Sequence, residues 1–410
     1  MIETDEKREE APVWGRPEAF PEAPQGWGWV GVKNEPHRCN SLEELHTAIR
    51  NDPDGGVLLA WTPEHHYMVL PEEIPGSGDA VRAARKVWTR LELEEGNRKL
   101  RWYGLGFLIF ALYTFHQNWQ HVTYVQGENS ALSETLKLTR DSSLLGLALL
   151  LFIIFGLIPW YSAFKRRKEL DRWTEEKIAA TVPSIRFETW LERQKAPITY
   201  VMLGLIGIVY VFQLLRSGDH GIQAAGLLKS KEDTETWRLL TAPFLHGNIV
   251  HLLMNGSAML YLGKRMEVFS RWPHVPMVFL FAAYIGGETS LHFLGDIPGV
   301  GASGGLMGWL GFLLIFETLH AGLVPRHARR RLLAGVFLTA FIGLIGYRFI
   351  DNAAHAGGLI AGMLYAVIVF PKSTSVVRPR ATITDRIGGS LALLLLIGAA
   401  GFTISRLLNY

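Results

Sequence analysis

Nine stretches of mostly apolar residues fill the chain from about residue 102 onward, and runs of that length have few ways to fold. They fall at about 102–119, 143–164, 198–215, 247–263, 275–294, 302–320, 331–349, 352–370 and 387–408. A helix needs roughly 20 such residues to cross a bilayer. Inside hydrocarbon every backbone N–H and C=O must find a partner within the protein, which leaves helices or closed barrels. The pattern therefore predicts an all-α polytopic membrane protein. The first stretch is crowded at its end by His116, Gln117 and Asn118, and the fourth is short. A composition of 49% hydrophobic residues and a mean hydropathy of +0.15 agree with membrane burial.

The segments between the stretches orient them, since basic residues favour the cytoplasmic side. Arg82, Arg85, Lys86, Arg98, Lys99 and Arg101 precede the first stretch, and Lys165–Lys168 follow the second. Lys264, Arg265 and Arg271 follow the fourth; Arg326 and Arg329–Arg331 follow the sixth; Lys372, Arg378 and Arg380 follow the eighth. The other loops are short or poor in basic residues. Nine spans with the N-terminus in the cytoplasm and the C-terminus outside satisfy this alternation, and the plasma (inner) membrane is the expected location. The opening MIETDEKREE has no apolar core of the kind a cleavable signal needs. A net charge of +3 is too small to argue for nucleic acid.

Residues 1–97 read as a small soluble α/β module. Ser41 and Glu44 have capping-box spacing, which predicts a short helix to about Asn51. Asp52–Gly56 reads as a turn, and Val57–Trp61 and His66–Leu70 as two short strands. His65-His66 has no cysteine or carboxylate at ligand spacing, and the single cysteine, Cys39, excludes an internal disulfide; no metal or cofactor is expected.

The chemistry lies further on. Gly301-Ala302-Ser303-Gly304-Gly305 opens the sixth stretch, and His355 lies in the first turn of the eighth. By the alternation both ends face outward, which puts Ser303 and His355 at one depth. Gly304 with Gly308, and Gly358 with Gly362, form small-residue surfaces on which two membrane helices pack closely. A serine hydroxyl becomes nucleophilic when a base takes its proton, and a neutral imidazole suits that task. His251 and Asn255, at i and i+4, project from one face of the fourth stretch near its outward end. Two such donors could receive the oxyanion of a tetrahedral intermediate, with the Ser303 N–H as a third. His246 either joins that site or anchors its loop by a hydrogen bond. Asp351 sits in the loop before His355, so the reading is a dyad and not a triad. Glu317, near the inner end of its helix, is expected to snorkel or be capped.

The strings Trp237-Arg238, His246, His251, Asn255, Gly301-Ala302-Ser303-Gly304 and Ala354-His355-Ala356-Gly357-Gly358 together resemble the rhomboid intramembrane proteases. The resemblance covers roughly residues 197–370. It implies a six-helix catalytic core, an oxyanion site at His251 and Asn255, and cleavage of other membrane proteins in or beside their transmembrane helices. The stretch at 387–408 then corresponds to a C-terminal seventh helix. The two helices at 98–165, a basic linker at 166–196 and the module at 1–97 lie outside the resemblance, and 371–410 holds the final linker and helix. One departure is Met307, where the family often has an aromatic residue packed on the catalytic histidine; a thioether can also pack on an imidazole.

Other classes fit less well. No His-Glu-x-x-His string occurs, and Phe293-Leu294-Gly295-Asp296 lacks the first glycine of an aspartyl intramembrane protease. A transporter would carry broken-helix pairs in repeated halves. A non-catalytic chaperone on the same fold is the remaining alternative. The expected partners are single-span membrane proteins, the bilayer itself and a cytoplasmic partner for the module.

Overall fold

The computed structural model describes residues 11–31, 33–51, 57–126, 131–170, 172–215, 218–231, 234–295, 297–347 and 350–409. The turn expected at 52–56 and Asp296 lie outside the described residues. The chain divides into two compact units: Pro17–Arg186 with Ala340–Ile350, and Met1–Arg16 with Phe187–Thr339 and Asp351–Tyr410.

The first unit opens with a three-stranded antiparallel sheet of order β2-β1-β3, made of β1 (Trp27–Val30), β2 (Pro36–Cys39) and β3 (Leu59–Trp61). A β-carbon at Gly28 would run into the Trp61 indole, so the sheet closes there only on glycine. Helix α1 (Leu42–Asn51) starts where expected, with Ser41 as its cap and only the reciprocal Glu44 bond falling one residue earlier. Ser41 Oγ accepts the Glu44 N–H at 3.2 Å, while the Glu44 carboxylate reaches the N–H of Asn40. Leu45 and Ile49 bury one face of α1 against Ala60, Ile74, Ala80, Val81 and Ile178. Of the two expected strands, 57–61 shortens to β3, and 66–70 contributes only isolated bridges at Tyr67 and Val69. His65 Nδ1 lies 2.8 Å from Thr62 Oγ1.

Helix α2 (Gly78–Gln126) then runs 49 residues without a break, from the edge of the module through the apolar stretch at 102–119. After α3 (Ala131–Arg140), α4 (Ser143–Leu151) passes through a π-helical turn at Phe152–Leu157 into α5 (Ile158–Leu170). Small residues bring α5 and α2 together: a β-carbon at Gly96 would lie 3.1 Å from the Trp160 Cα. Helix α6 (Glu175–Glu192) follows.

The second unit is a helical bundle of α7 (Pro197–Leu215), α8 (Gly218–Ala225), α9 (Arg238–Thr241), α10 (Ile249–Ser270), α11 (His274–Phe293), α12 (Ser303–Leu319), α13 (Arg326–Ile345, whose end falls in the first unit), α14 (Asn352–Val369) and α15 (Ile383–Asn409). Helix α12 is the centre and is buried along most of its length. Gly304 and Gly308 present their carbonyls to Gly358 and Gly362 of α14, leaving no room for a β-carbon on either. On α11, a β-carbon at Gly286 would lie 2.7 Å from the Ala354 carbonyl. Three helices thus meet backbone to backbone on small residues.

Among the described residues the nine apolar stretches fall mostly in helices, the second of them across α4, the π-helical turn and α5. Among the described residues, four segments are long and apolar enough to cross a membrane: Ala148–Leu170, Pro197–Leu215, Asn352–Val369 and Ile383–Asn409; Ser303–Leu319 is apolar but shorter. Helix α10 carries Lys264, Arg265 and Glu267, of which Arg265 and Glu267 are buried inside the bundle. Arg265, counted from sequence among loop charges, is fully buried and donates to Glu317 Oε1 at 2.8 and 3.2 Å. Glu317 is equally buried, so it pairs internally and does not snorkel. Glu267 accepts from the backbone of Ile198 and Thr199 at 3.1 and 3.0 Å, tying down the first turn of α7.

Candidate active site

Four elements of the second unit converge on one point, and local sequence explains how each arrives there. Gly301 has φ +113°, a conformation that L side chains rarely adopt, and it turns the chain into the first turn of α12. Its N–H donates to the Ala242 carbonyl at 3.0 Å. The first intrahelical bond runs from Leu306 N–H to Ala302, so the N–H groups of Ser303, Gly304 and Gly305 precede the helical ladder. Ser303 therefore stands at the positive end of a 17-residue helix, where developing negative charge is stabilised.

Helix α10 brings two donors to the same place. Asn248 caps it, its side chain accepting the His251 N–H at 2.9 Å. One turn apart, His251 and Asn255 face Gly301: a β-carbon built there would lie 2.7 Å from His251 Cε1, 2.8 Å from Nε2 and 3.3 Å from Asn255 Nδ2. Asn255 Nδ2 also meets His246 Nε2 at 3.0 Å. With the amide nitrogen donating, the His246 ring accepts, and the second amide hydrogen stays free for the site. The His246 and His251 rings pack edge to face at 5.0 Å.

His246 is held from behind by Gln213. The Gln213 side chain donates to the His246 carbonyl at 2.8 Å and accepts its N–H at 3.1 Å. Sequence reasoning missed this residue; the signal was a lone amide in the apolar run of α7. The role of Trp237-Arg238 is also larger than its residue types suggested. Arg238 is 1% exposed, pairs with Glu235, and donates to the carbonyls of Gly226 and Gln223 at 2.7 and 3.1 Å. Thr241 Oγ1 donates to Ala225 at 2.7 Å. These bonds fasten α8 to α9. The hydrogen bond from Arg238 holds the Glu235 carboxyl, in this loop outside the spans, below the usual carboxylate range.

His355 arrives on α14. Asp351 caps that helix: it accepts the Ala354 N–H at 2.8 Å and the Ser290 hydroxyl, and its carbonyl takes the His355 N–H at 3.1 Å. Both carboxylate oxygens are thus occupied by groups other than the His355 ring. Among the described residues the ring Nδ1 has no hydrogen-bond partner. The Ala354 carbonyl lies 3.7 Å from where a β-carbon on Gly304 would stand, so the residues preceding His355 and following Ser303 touch through their backbones. Ser303, Gly301, His251 and His355 are half-buried, while His246 and Asn255 behind them are buried. No group of three His, Cys, Asp or Glu side chains suited to a metal occurs among the described residues.

The arrangement offers a hydroxyl at a helix N-terminus, two side-chain donors beside it, and an imidazole on the helix packed against it. Comparison with known proteins bears on the same segment. Residues 233–372 match the family model described as a rhomboid domain. The chain is similar to RHOMBOID-like protein 6, mitochondrial, of Arabidopsis thaliana, with 33% identity over 36% of this chain and 48% of that one. It is 29% identical to Rhomboid protease GluP of Bacillus subtilis (strain 168), over 44% of this chain and 36% of the relative. It is 28% identical to Inactive RHOMBOID-like protein 8 of Arabidopsis thaliana, over 32% and 37%. The chain spans less than half the length of these relatives.

Proposed function

Residues 233–372 make this chain a member of the rhomboid family, and from that premise we propose that it is an intramembrane serine endopeptidase acting through Ser303 and His355. The observation that carries the reading is the left-handed Gly301, pressed against His251 and Asn255 two residues ahead of Ser303. A pocket for an oxyanion requires donors beside the nucleophile, and this is what the contact supplies.

Ser303 Oγ attacks the scissile carbonyl carbon while His355 takes the hydroxyl proton. The carbonyl oxygen gains the negative charge and accepts hydrogen bonds from His251, Asn255 and the Ser303 N–H. The imidazolium then protonates the leaving amine as the C–N bond breaks, which leaves an ester on Ser303. Water, deprotonated by the same imidazole, attacks the ester and releases the acid. His246 anchors Asn255, and Gln213 anchors His246. The unpartnered Nδ1 of His355 supports a dyad without a third member.

The substrate is a single-span membrane protein, cut where a small or helix-destabilising residue lets the peptide extend. The chain crosses the membrane nine times, with a six-helix core at 197–370, a seventh helix after it, and two further helices at 98–165. The N-terminus is cytoplasmic, the site opens to the opposite face, and the location is the plasma (inner) membrane. The module at 1–97 serves regulation or a cytoplasmic partner.

A non-catalytic member of the same fold is a second reading, favoured by the absence of a hydrogen bond between Ser303 and His355 among the described residues and by the relative named inactive. Such bonds often form only once substrate is bound. Purified protein in liposomes with a single-span substrate separates the two: Ser303-dependent fragments support the peptidase, and intact substrate bound equally by wild type and Ser303→Ala supports the alternative.

A further inference from the structure

We propose that the groove between α9 and α15 binds one anionic phospholipid, with an acyl chain along α15 and its phosphate on Arg406. The groove has a volume of about 390 Å³, with Trp237 and Leu240 on one wall and Leu391, Leu395, Gly398 and Phe402 on the other. Small-molecule sites usually hold about 300–1,000 Å³. From Leu391 to Phe402 the helix rises about 16 Å, at about 1.5 Å per residue. That matches one leaflet of a hydrocarbon core roughly 30 Å thick.

Charge closes one end. Arg406, a helical turn beyond Phe402, lies 5.1 Å over the Trp237 ring, and the same ring meets Phe402 edge-on at 5.2 Å. The Arg406 Nε is buried and has no hydrogen-bond partner among the described residues. A buried donor without an acceptor is costly, and phosphate oxygens are strong complements to a guanidinium. The neighbouring carboxylate, Glu235, is hydrogen-bonded by Arg238 and acts on Arg406 only through space. Along the rest of the groove the Thr241 hydroxyl is spent on the Ala225 carbonyl. What remains is an apolar channel with a cation and a tryptophan at its mouth, the order of a phospholipid from tail to headgroup. Tryptophan is also the side chain enriched at headgroup depth.

The dimensions favour an acyl chain over a substrate helix. Such a helix is about 10 Å wide and must cross both leaflets, whereas this channel ends after one. The groove reaches α9, and Ala242 directly after α9 receives the Gly301 N–H. A lipid seated there steadies the loop that positions Ser303. The inference rests on the membrane location and stands whether or not Ser303 is a nucleophile.

The test is native mass spectrometry of the full chain in detergent, titrated with phosphatidylglycerol and separately with phosphatidylcholine. Wild type should retain one phosphatidylglycerol, in preference to phosphatidylcholine. Arg406→Gln should weaken retention by about tenfold or more and abolish the preference. Gly398→Leu should weaken both lipids, because a β-carbon at Gly398 meets nothing within 4 Å and the added side chain takes up channel space. If Gly398→Leu is not monodisperse, Arg406→Gln decides alone, since it changes a half-buried side chain near the helix end. Equal retention by wild type and Arg406→Gln overturns the proposal. So does crosslinking of a single-span helix to a photoreactive amino acid replacing Leu395.

Discussion

At the scale of single residues, the account depends on where hydrogen-bond donors stand relative to Ser303. Asn255→Ala and His251→Ala should each lower turnover. Loss of one oxyanion donor typically costs about 10²–10³ in rate, and sharing among three donors puts these variants at the lower end. A rise in KM with unchanged kcat would show instead that they bind substrate. Gly301→Ala should be more damaging than its size suggests. The new methyl group would stand 2.7 Å from His251, in a backbone conformation that alanine rarely adopts. Its kcat should fall without loss of monodispersity; normal turnover would mean that the His251 contact is dispensable. Ser303, His355, His251 and Asn255 stood out as candidates because each sits in a short string whose chemistry is local. Gln213 and Arg238 did not, since their partners lie 33 and 12 residues away and only the fold brings them together.

At the scale of elements, close helix packing and buried charge oppose each other. Gly362→Val places a branched side chain against the Gly308 carbonyl and should separate α14 from α12, lowering the melting temperature in detergent together with activity. The Arg265–Glu317 pair is fully buried on both sides. Removing one partner leaves the other buried charge without its hydrogen-bonded counter-ion, with only Glu188 3.9 Å from Arg265 Nη1, at a cost of about 3–5 kcal/mol, whereas replacing both by apolar residues of similar size is often neutral. Glu317→Leu alone should therefore destabilise strongly, and Arg265→Met with Glu317→Leu should recover most of the loss. Equal destabilisation by single and double variants would contradict this. The helices were legible from apolar length, yet not the pairing: on a sequence Arg265 looks like a loop charge and Glu317 like a snorkelling one. Strands β1 and β2 escaped notice because their residues, rich in Gly, Trp and Pro, show no apolar alternation.

At the scale of the whole molecule, every residue proposed for catalysis lies within Phe187–Thr339 and Asp351–Tyr410, the greater part of the unit that also holds Met1–Arg16. A protein of residues 187–410 should therefore retain Ser303-dependent cleavage, assayed in liposomes against a single-span substrate. Complete loss in a monodisperse truncation would show that the earlier residues take part in turnover. The central claim is that Ser303 is a nucleophile activated by His355, and covalent labelling tests it most directly. The full-length protein is treated with a fluorophosphonate and the modified residue is located by mass spectrometry. The account predicts a single adduct on Ser303, absent from Ser303→Ala and reduced to background in a monodisperse His355→Ala. An unlabelled Ser303 in folded wild-type protein, or labelling that survives His355→Ala undiminished, would contradict it.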